Sequence, residues 1–242
     1  MKVYGMTDIG CLRKDNQDSY AIRQMEGGAA LLAVCDGMGG ARAGSVASSV
    51  AVEAFADTVE EAMAQGAPGG PERTLKEACW AANEKVYRLS RENREYEGMG
   101  TTLVAALILP DGIWLANVGD SRCYMLEGDG IRQVTVDHSL VQLLVERGEI
   151  TPAEARVHPQ KNLITRALGV DSRVECDVTR LEPGPGGRLL LCSDGLTNVL
   201  PDETLLELSR REAEIEALCR ALVGLTLERG APDNVTAVLA QL

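Results

Sequence analysis

Aromatic residues are only 3% of this 242-residue chain, with a single Phe. Its apolar residues still reach 45%, enough for a sizeable core of mostly Val, Leu, Ile and Ala, and the length suits one large domain spanning residues 1–242. Aromatics for stacking nucleobases are correspondingly scarce. The two His, His138 and His158, fit no H-E-x-x-H or Cys/His zinc pattern. Isolated as they are, they read as surface or structural groups. Basic residues are also outnumbered: 24 Lys and Arg face 36 Asp and Glu, a net charge of −12. That excludes a broad basic face for nucleic acid and is the wrong sign for an anionic membrane surface. No uninterrupted apolar run approaches the roughly 18 residues of a membrane helix. The opening MKVYGMTDIG has no apolar segment after its Lys and is not a signal peptide. No G-x-x-x-x-G-K-[ST] phosphate loop is present. The seven Cys include no C-x-x-C pair. Cys35, Cys123 and Cys192 lie in or beside apolar runs and read as buried thiols of a cytoplasmic protein. A nucleophilic Cys needs a loop or helix N-terminus and a basic neighbour, and none of the three has both.

What the chain does have is strand and helix signals in alternation. Ala43–Ala64 is Ala-rich and predicts a helix. Glu72–Asn93 places Leu75, Cys79, Ala82, Val86 and Leu89 at helical spacing, and the Gly/Pro cluster QGAPGGP at 65–71 separates the two. Ala29–Cys35 and Leu189–Cys192 are short continuous apolar runs, as strands buried on both faces require. Thr101–Leu109, the turn Pro110-Asp111-Gly112 and Ile113–Val118 predict a hairpin. Arg122–Leu126, the turn Glu127-Gly128-Asp129-Gly130 and Ile131–Val136 predict a second. His138–Gly148 and Pro152–Val157 read as short helices, Leu205–Leu208 and Ile215–Leu227 as helical by period, and Val235–Leu239 as a closing strand. Hairpin-linked strands with helices inserted in pairs predict an α+β fold of antiparallel sheet flanked by helices. These patterns do not decide between one sheet and two.

The informative feature is where Asp falls. Apolar runs end in Asp36-Gly37, in Gly119-Asp120 and in Asp194-Gly195, while Asp18 and Asp233-Asn234 open strands. Because neighbouring antiparallel strands place one's end beside the other's start, these five Asp can meet along one edge. Any single Asp-Gly is more simply a turn, with Gly supplying a positive φ, and Asp111-Gly112 and Asp129-Gly130 are read so. Five carboxylates together repel unless cations hold them. Oxygen donors without His or Cys favour Mg²⁺ or Mn²⁺.

The motifs carrying these residues resemble, in order, those of the bacterial type-2C (PPM) metal-dependent protein serine/threonine phosphatases. They are Thr7-Asp8-Ile9-Gly10 with Arg13 and Asn16-Gln17-Asp18; Asp36-Gly37-Met38-Gly39-Gly40; Gly98-Met99-Gly100-Thr101-Thr102; Asn117-Val118-Gly119-Asp120-Ser121-Arg122; Asp137-His138-Ser139; Ile164-Thr165-Arg166-Ala167-Leu168-Gly169; Cys192-Ser193-Asp194-Gly195-Leu196; and Asp233-Asn234-Val235-Thr236. One such motif is weak; eight in order are specific. The resemblance implies two central antiparallel sheets packed as a sandwich between helices, with two Mg²⁺ or Mn²⁺ ions at one end. Asp36 would bridge the ions, assisted by the Gly37 carbonyl. Asp194 and Asp233 would hold the first ion, Asp18 would serve the second, and Asp120 would join a third, weaker site. Arg13 would grip the substrate phosphate, for which its planar fork is suited. The implied chemistry is hydrolysis of phosphoserine or phosphothreonine by a hydroxide bridging the ions. The implied setting is a cytoplasmic monomer acting on phosphorylated proteins, opposite a Ser/Thr kinase and its substrates.

The chain also departs from the family. Met38 stands where animal relatives have the His proposed as general acid, Ala41 where many bacterial members have another, and Gln17 where animal members have a Glu ligand. Leu140–Lys161 matches the family's variable flap. Two other readings compete. A catalytically dead relative would have lost metal-site Asp, whereas Asp18, Asp36, Asp194 and Asp233 all stand. A two-metal hydrolase of small phosphoesters or nucleotides would be separated by its preference for nucleotides over phosphopeptides.

Overall fold

The computed structural model describes residues 1–242 apart from Ala41, Asp129, Pro183 and Pro185. Among the described residues, eleven strands form two antiparallel sheets. The first holds β1 (Lys2–Asp8), β11 (Val235–Gln241), β10 (Arg188–Cys192), β7 (Arg122–Glu127) and β8 (Gly130–Gln133), in that order. The second holds β2 (Asp18–Gln24), β3 (Ala30–Met38), β5 (Leu103–Leu109), β6 (Gly112–Val118) and β9 (Asp177–Leu181), with the short β4 (Gly100–Thr101) paired to the end of β3. Helices α1 (Ala43–Ala64) and α2 (Gly70–Glu92) cover the second sheet; α6 (Asp202–Arg211) and α7 (Ile215–Glu228) cover the first.

The two-period of a strand explains why its runs are apolar throughout. On β3, Leu31, Ala33 and Cys35 pack under α1 and α2, while Leu32 and Val34 face the other sheet. On β11, Val235, Ala237 and Leu239 pack under α7, while Val238 and Ala240 meet β3 and β5 between the sheets. The chain thus builds three apolar layers in an α/β/β/α stack, and the second sheet that the patterns left open is settled by this double burial.

Several boundaries differ from the sequence expectations. β3 runs on through Asp36 to Met38, because β4 extends its pairing: Gly37 sits opposite Thr101 and Met38 opposite Gly100. The helix expected over His138–Gly148 is only α3 (Leu140–Glu146), capped by the Ser139 hydroxyl, which accepts from the Gln142 N–H at 3.2 Å. His138 lies before it. The second hairpin's return strand is shorter than expected, ending at Gln133, and the turn residue Asp129 lies outside the described residues. β1, β9 and the single turn α5 (Asp194–Thr197) had no prior expectation. By contrast, α4 (Pro152–Val157) matches its expected span, fixed by Pro at N1 and a Thr151–Glu154 capping box.

Candidate active site

All the singled-out carboxylates gather at one end of the sandwich, between the sheets rather than along one sheet's edge. Period two decides which way they face. Asp36 continues the intersheet series Leu32, Val34, and Asp18 continues Tyr20, Ile22. The two Asp are opposite one another in the β2–β3 register. From the other sheet, Ser193 follows Leu189 and Leu191, and Thr236 precedes Val238 and Ala240. Both reach across: Ser193 Oγ donates to Asp18 Oδ2 at 2.7 Å and Thr236 Oγ1 donates to the same oxygen at 2.6 Å. Asp18 is thereby pinned by the opposing sheet, while its Oδ1 is buried without a partner. Asn234 ties down the loop that carries Arg13. Its Nδ2 donates to the carbonyls of Ile9 and Asp15 at 2.9 and 3.0 Å, and its Oδ1 accepts from the Gln17 N–H at 2.8 Å.

The glycines that follow Asp36 and Asp194 are not turn glycines. Neither Gly37 nor Gly195 has a positive φ. A Cβ on Gly37 would lie 2.0 Å from the Gly44 carbonyl oxygen at the start of α1, and one on Gly195 would lie 1.9 Å from the Asn234 carbonyl oxygen. The backbone is needed there in close approach. The turn reading does not hold for these two Asp-Gly pairs.

Asp36, Asp120, Asp194 and Asp233 line a cleft of about 230 Å³ together with Arg13, Gln17, Gly37, Met38, Asn162 and Ile164. Burial pushes the Asp18 carboxyl up to about 7, against the hydrogen bonds from Thr236 and Ser193 and with help from the charges of Asp194 and Asp233. Asp120 is raised to about 8, by burial first and then by Asp194 and Asp137. Asp36 is held well above the usual carboxylate range by burial and then by Asp18, Asp194, Asp120 and Asp233. Asp194 is raised by burial and by Asp233. Each of these carboxylates resists ionising beside the others, the condition that a bound cation relieves. The unpartnered Asp18 Oδ1 and the all-oxygen donor set fit Mg²⁺ or Mn²⁺. Among the described residues, no three acidic, thiol or imidazole groups already enclose a common point. Two of the carboxylates are engaged elsewhere: Arg13 Nη2 donates to Asp233 Oδ2 at 2.6 Å, and Asn198 Nδ2 donates to Asp194 Oδ2 at 2.8 Å.

The supporting residues went unweighed in the sequence. Ser193, Thr236 and Asn234 lie in the quoted motifs, and strand parity would have put the first two on the same face as Leu191 and Val238. Ile164 opens another quoted motif without an assigned role, and Asn162 carried no signal. His138 is structural, as expected, but buried: its Nδ1 accepts from the Gly119 N–H and its Nε2 contacts Asp177 Oδ2, both at 3.1 Å. Its own N–H donates to the Gly119 carbonyl at 2.9 Å, so His138 clamps the residue before Asp120. Met38 lines the cleft where a His stands in animal relatives, and Ala41 lies outside the described residues. The expected thiols are inert: Cys35, Cys123 and Cys192 are fully buried, and burial pushes Cys192 up to about 12.

A two-sheet sandwich with buried carboxylates and one arginine at its mouth is the architecture of a metal-dependent phosphoester hydrolase. The family model Protein phosphatase 2C matches residues 13–239, and the chain belongs to that family. It is 37% identical to the serine/threonine phosphatase stp of Listeria innocua over 97% of this chain and 93% of that protein. It is 42% identical to the serine/threonine protein phosphatase PstP of Mycobacterium tuberculosis over 98% of this chain but 44% of that longer protein. The crystal structure of the PstP catalytic domain in complex with two manganese ions superposes with a TM-score of 0.86 at 38% identity, covering 99% of this chain and 97% of that one.

Proposed function

We propose that this protein is a metal-dependent protein serine/threonine phosphatase, with residues 1–242 as one catalytic domain. The observation that supports this best is the convergence of Asp36 from one sheet with Asp194 and Asp233 from the other, beside Arg13 in a single cleft, with Asp18 buried behind it opposite Asp36. In this reading Asp36 and the Gly37 carbonyl would serve both metal ions, Asp194 and Asp233 would hold one, Asp18 the other, and Asp120 would join a weaker third site. Mn²⁺ or Mg²⁺ held there would supply an acidified water and offset charge on the phosphoryl oxygens.

The chain's own groups do the rest. Ser193 and Thr236 fix the Asp18 rotamer, so that its free oxygen has one direction to face. Asn234 holds the Arg13 loop against the cleft. Arg13, half exposed, exchanges its contact with Asp233 for the phosphate of an arriving substrate. No Cys or His is among the residues lining the cleft, and Thr102 Oγ1 is occupied by Ser121 Oγ and the Asp36 N–H. With the cleft's carboxylates assigned to the metal ions in this reading, water is taken as the nucleophile, with no phosphoenzyme.

All seven Cys are free, and no helix among the described residues is long and apolar enough to cross a membrane. Free thiols fit a reducing compartment, and our reading is of a cytoplasmic monomer that reverses the work of a Ser/Thr kinase on phosphorylated proteins. The test is phosphate release from a phosphothreonine peptide. We expect turnover with Mn²⁺ and none after verified chelation; full activity without metal would overturn the reading.

A further inference from the structure

The cleft opens sideways into a groove of about 380 Å³ that shares Met38, Asn162 and Ile164 with it. Away from the cleft the groove becomes apolar at the surface. Leu163 is 51% exposed and Val170 44% exposed. Met38 and Val170 form one continuous strip. Both side chains lie over Gly100, where a Cβ would come 2.7 Å from Met38 Cε and 2.8 Å from Val170 Cγ2. Gly100 thus sinks the strip to a level that an added methyl group would raise. Of the charged groups along the groove, Arg166 is occupied by Glu175 and Asp177, at 3.3 and 2.9 Å. Arg173 and Asp171 stand at the outer side and have opposite signs. The cavity on the opposite flank of the cleft, under α3 and α4, is polar instead: Arg122, Gln133, Asp137, Arg156, Lys161 and Asp202 line it.

We propose that the Met38–Val170 groove is a substrate subsite, and that it takes an apolar side chain adjacent to the phosphorylated residue. Continuity with the catalytic cleft makes the occupant the substrate's own chain. A residue next to a phosphothreonine held at Arg13 and Asp36 is within one residue's reach, a few ångströms, of Met38. This rests on the phosphatase reading above and adds a preference within it. The groove's floor, Met38 and Val170 over Gly100, gives an apolar side chain an apolar surface to cover.

The experiment compares kcat/KM, with Mn²⁺, on phosphothreonine peptides that differ only in carrying Leu or Glu next to the phosphoresidue, on either side in turn. Burying most of a Leu side chain is worth roughly tenfold in specificity, so the Leu peptide should lead the Glu peptide by about that factor on one side. Val170→Lys should bring the ratio to unity or reverse it, since a cation now stands in the strip. Because the ratio compares two substrates of one enzyme, a general loss of activity cancels. Equal rates for Leu and Glu on both sides, or an unchanged ratio in Val170→Lys, would overturn the subsite. Wild-type turnover of p-nitrophenyl phosphate, which has no flanking residue, separates the two readings. Its presence beside flat peptide ratios removes only the subsite; no turnover of it or of any phosphopeptide removes the phosphatase reading and the subsite with it.

Discussion

Asp36-Gly37 and Asp111-Gly112 are the same dipeptide on strands of the same sheet, and they do unrelated work. Asp111 is half of the two-residue connection between β5 and β6, where Leu109 pairs with Gly112. Gly112 has φ +145, and the nearest atom a Cβ there would meet, on the Arg180 side chain, is 3.4 Å away. That glycine answers a local conformational need. Gly37 has no such φ; it is required because α1 starts against it, with a Cβ contact of 2.0 Å to the Gly44 carbonyl. Asp111 faces solvent, whereas Asp36 is enclosed by other carboxylates. Identical local sequence therefore gives a turn at one end of the sandwich and a site at the other, and the difference lies in what packs against it.

The largest contrast should come from the acids. Asp36→Asn should lower kcat at least about 10²-fold, the scale of losing a main electrostatic element, whereas Asp111→Asn should leave kcat unchanged. Without metal, Asp36→Asn should melt no lower than wild type, because a repelling carboxylate has gone. Steady-state kinetics with Mn²⁺ and a melt in chelator check both, and retained turnover in Asp36→Asn would remove its bridging role. The glycines come next. Gly37→Ala cannot be accommodated without moving α1 or β3, so kcat should fall by about tenfold or more as the geometry shifts. Gly112→Ala meets only backbone strain, on the order of 1–3 kcal/mol, and should lower the melting temperature while sparing kcat. Equal effects of the two would erase the distinction drawn here.

Within the catalytic end, Arg13→Ala should act on binding more than on chemistry, because the phosphate is charged before it reacts. Losing a charge-assisted hydrogen bond of roughly 1.5–3 kcal/mol should raise KM about ten- to a hundredfold, and Arg13→Lys should recover part of it. Since Arg13 holds Asp233 when no substrate is present, its removal should also tighten Mn²⁺ binding slightly by calorimetry. A KM within about twofold of wild type would leave Arg13 a solvated loop residue.

The smallest effect is on stability against pH. The folded Asp18 and Asp120 carboxyls titrate at about 7 and about 8, above the ordinary range near 4 that they regain on unfolding. Between those values the folded state binds more protons than the unfolded chain, so stability falls as pH rises. The metal-free protein should therefore melt lower at pH 8 than at pH 5, and Mn²⁺ should flatten or reverse that slope. Melting temperatures in chelator that rise across this interval would contradict the crowded-carboxylate picture.

Much of this molecule is written locally. The Ala43–Ala64 helix, the β5–β6 hairpin and α4 follow from periodicity, a Pro-Asp-Gly turn and a Thr151–Glu154 cap, because each is stabilised by residues close in sequence. The eight ordered motifs named the family, and the placing of Asp at strand ends marked Asp18, Asp36, Asp120, Asp194 and Asp233. What the sequence could not decide is what depends on partners far along the chain. β1 and β9 are strands because β11 and β6 pair with them, and little in their own pattern announces it. The number of sheets, the convergence of the carboxylates between them, the pinning of Asp18 by Ser193 and Thr236 across 175 and 218 residues, and the reason for Gly37 all arise only when two sheets stack. Periodicity tells a residue which face it occupies; only packing tells it what it faces.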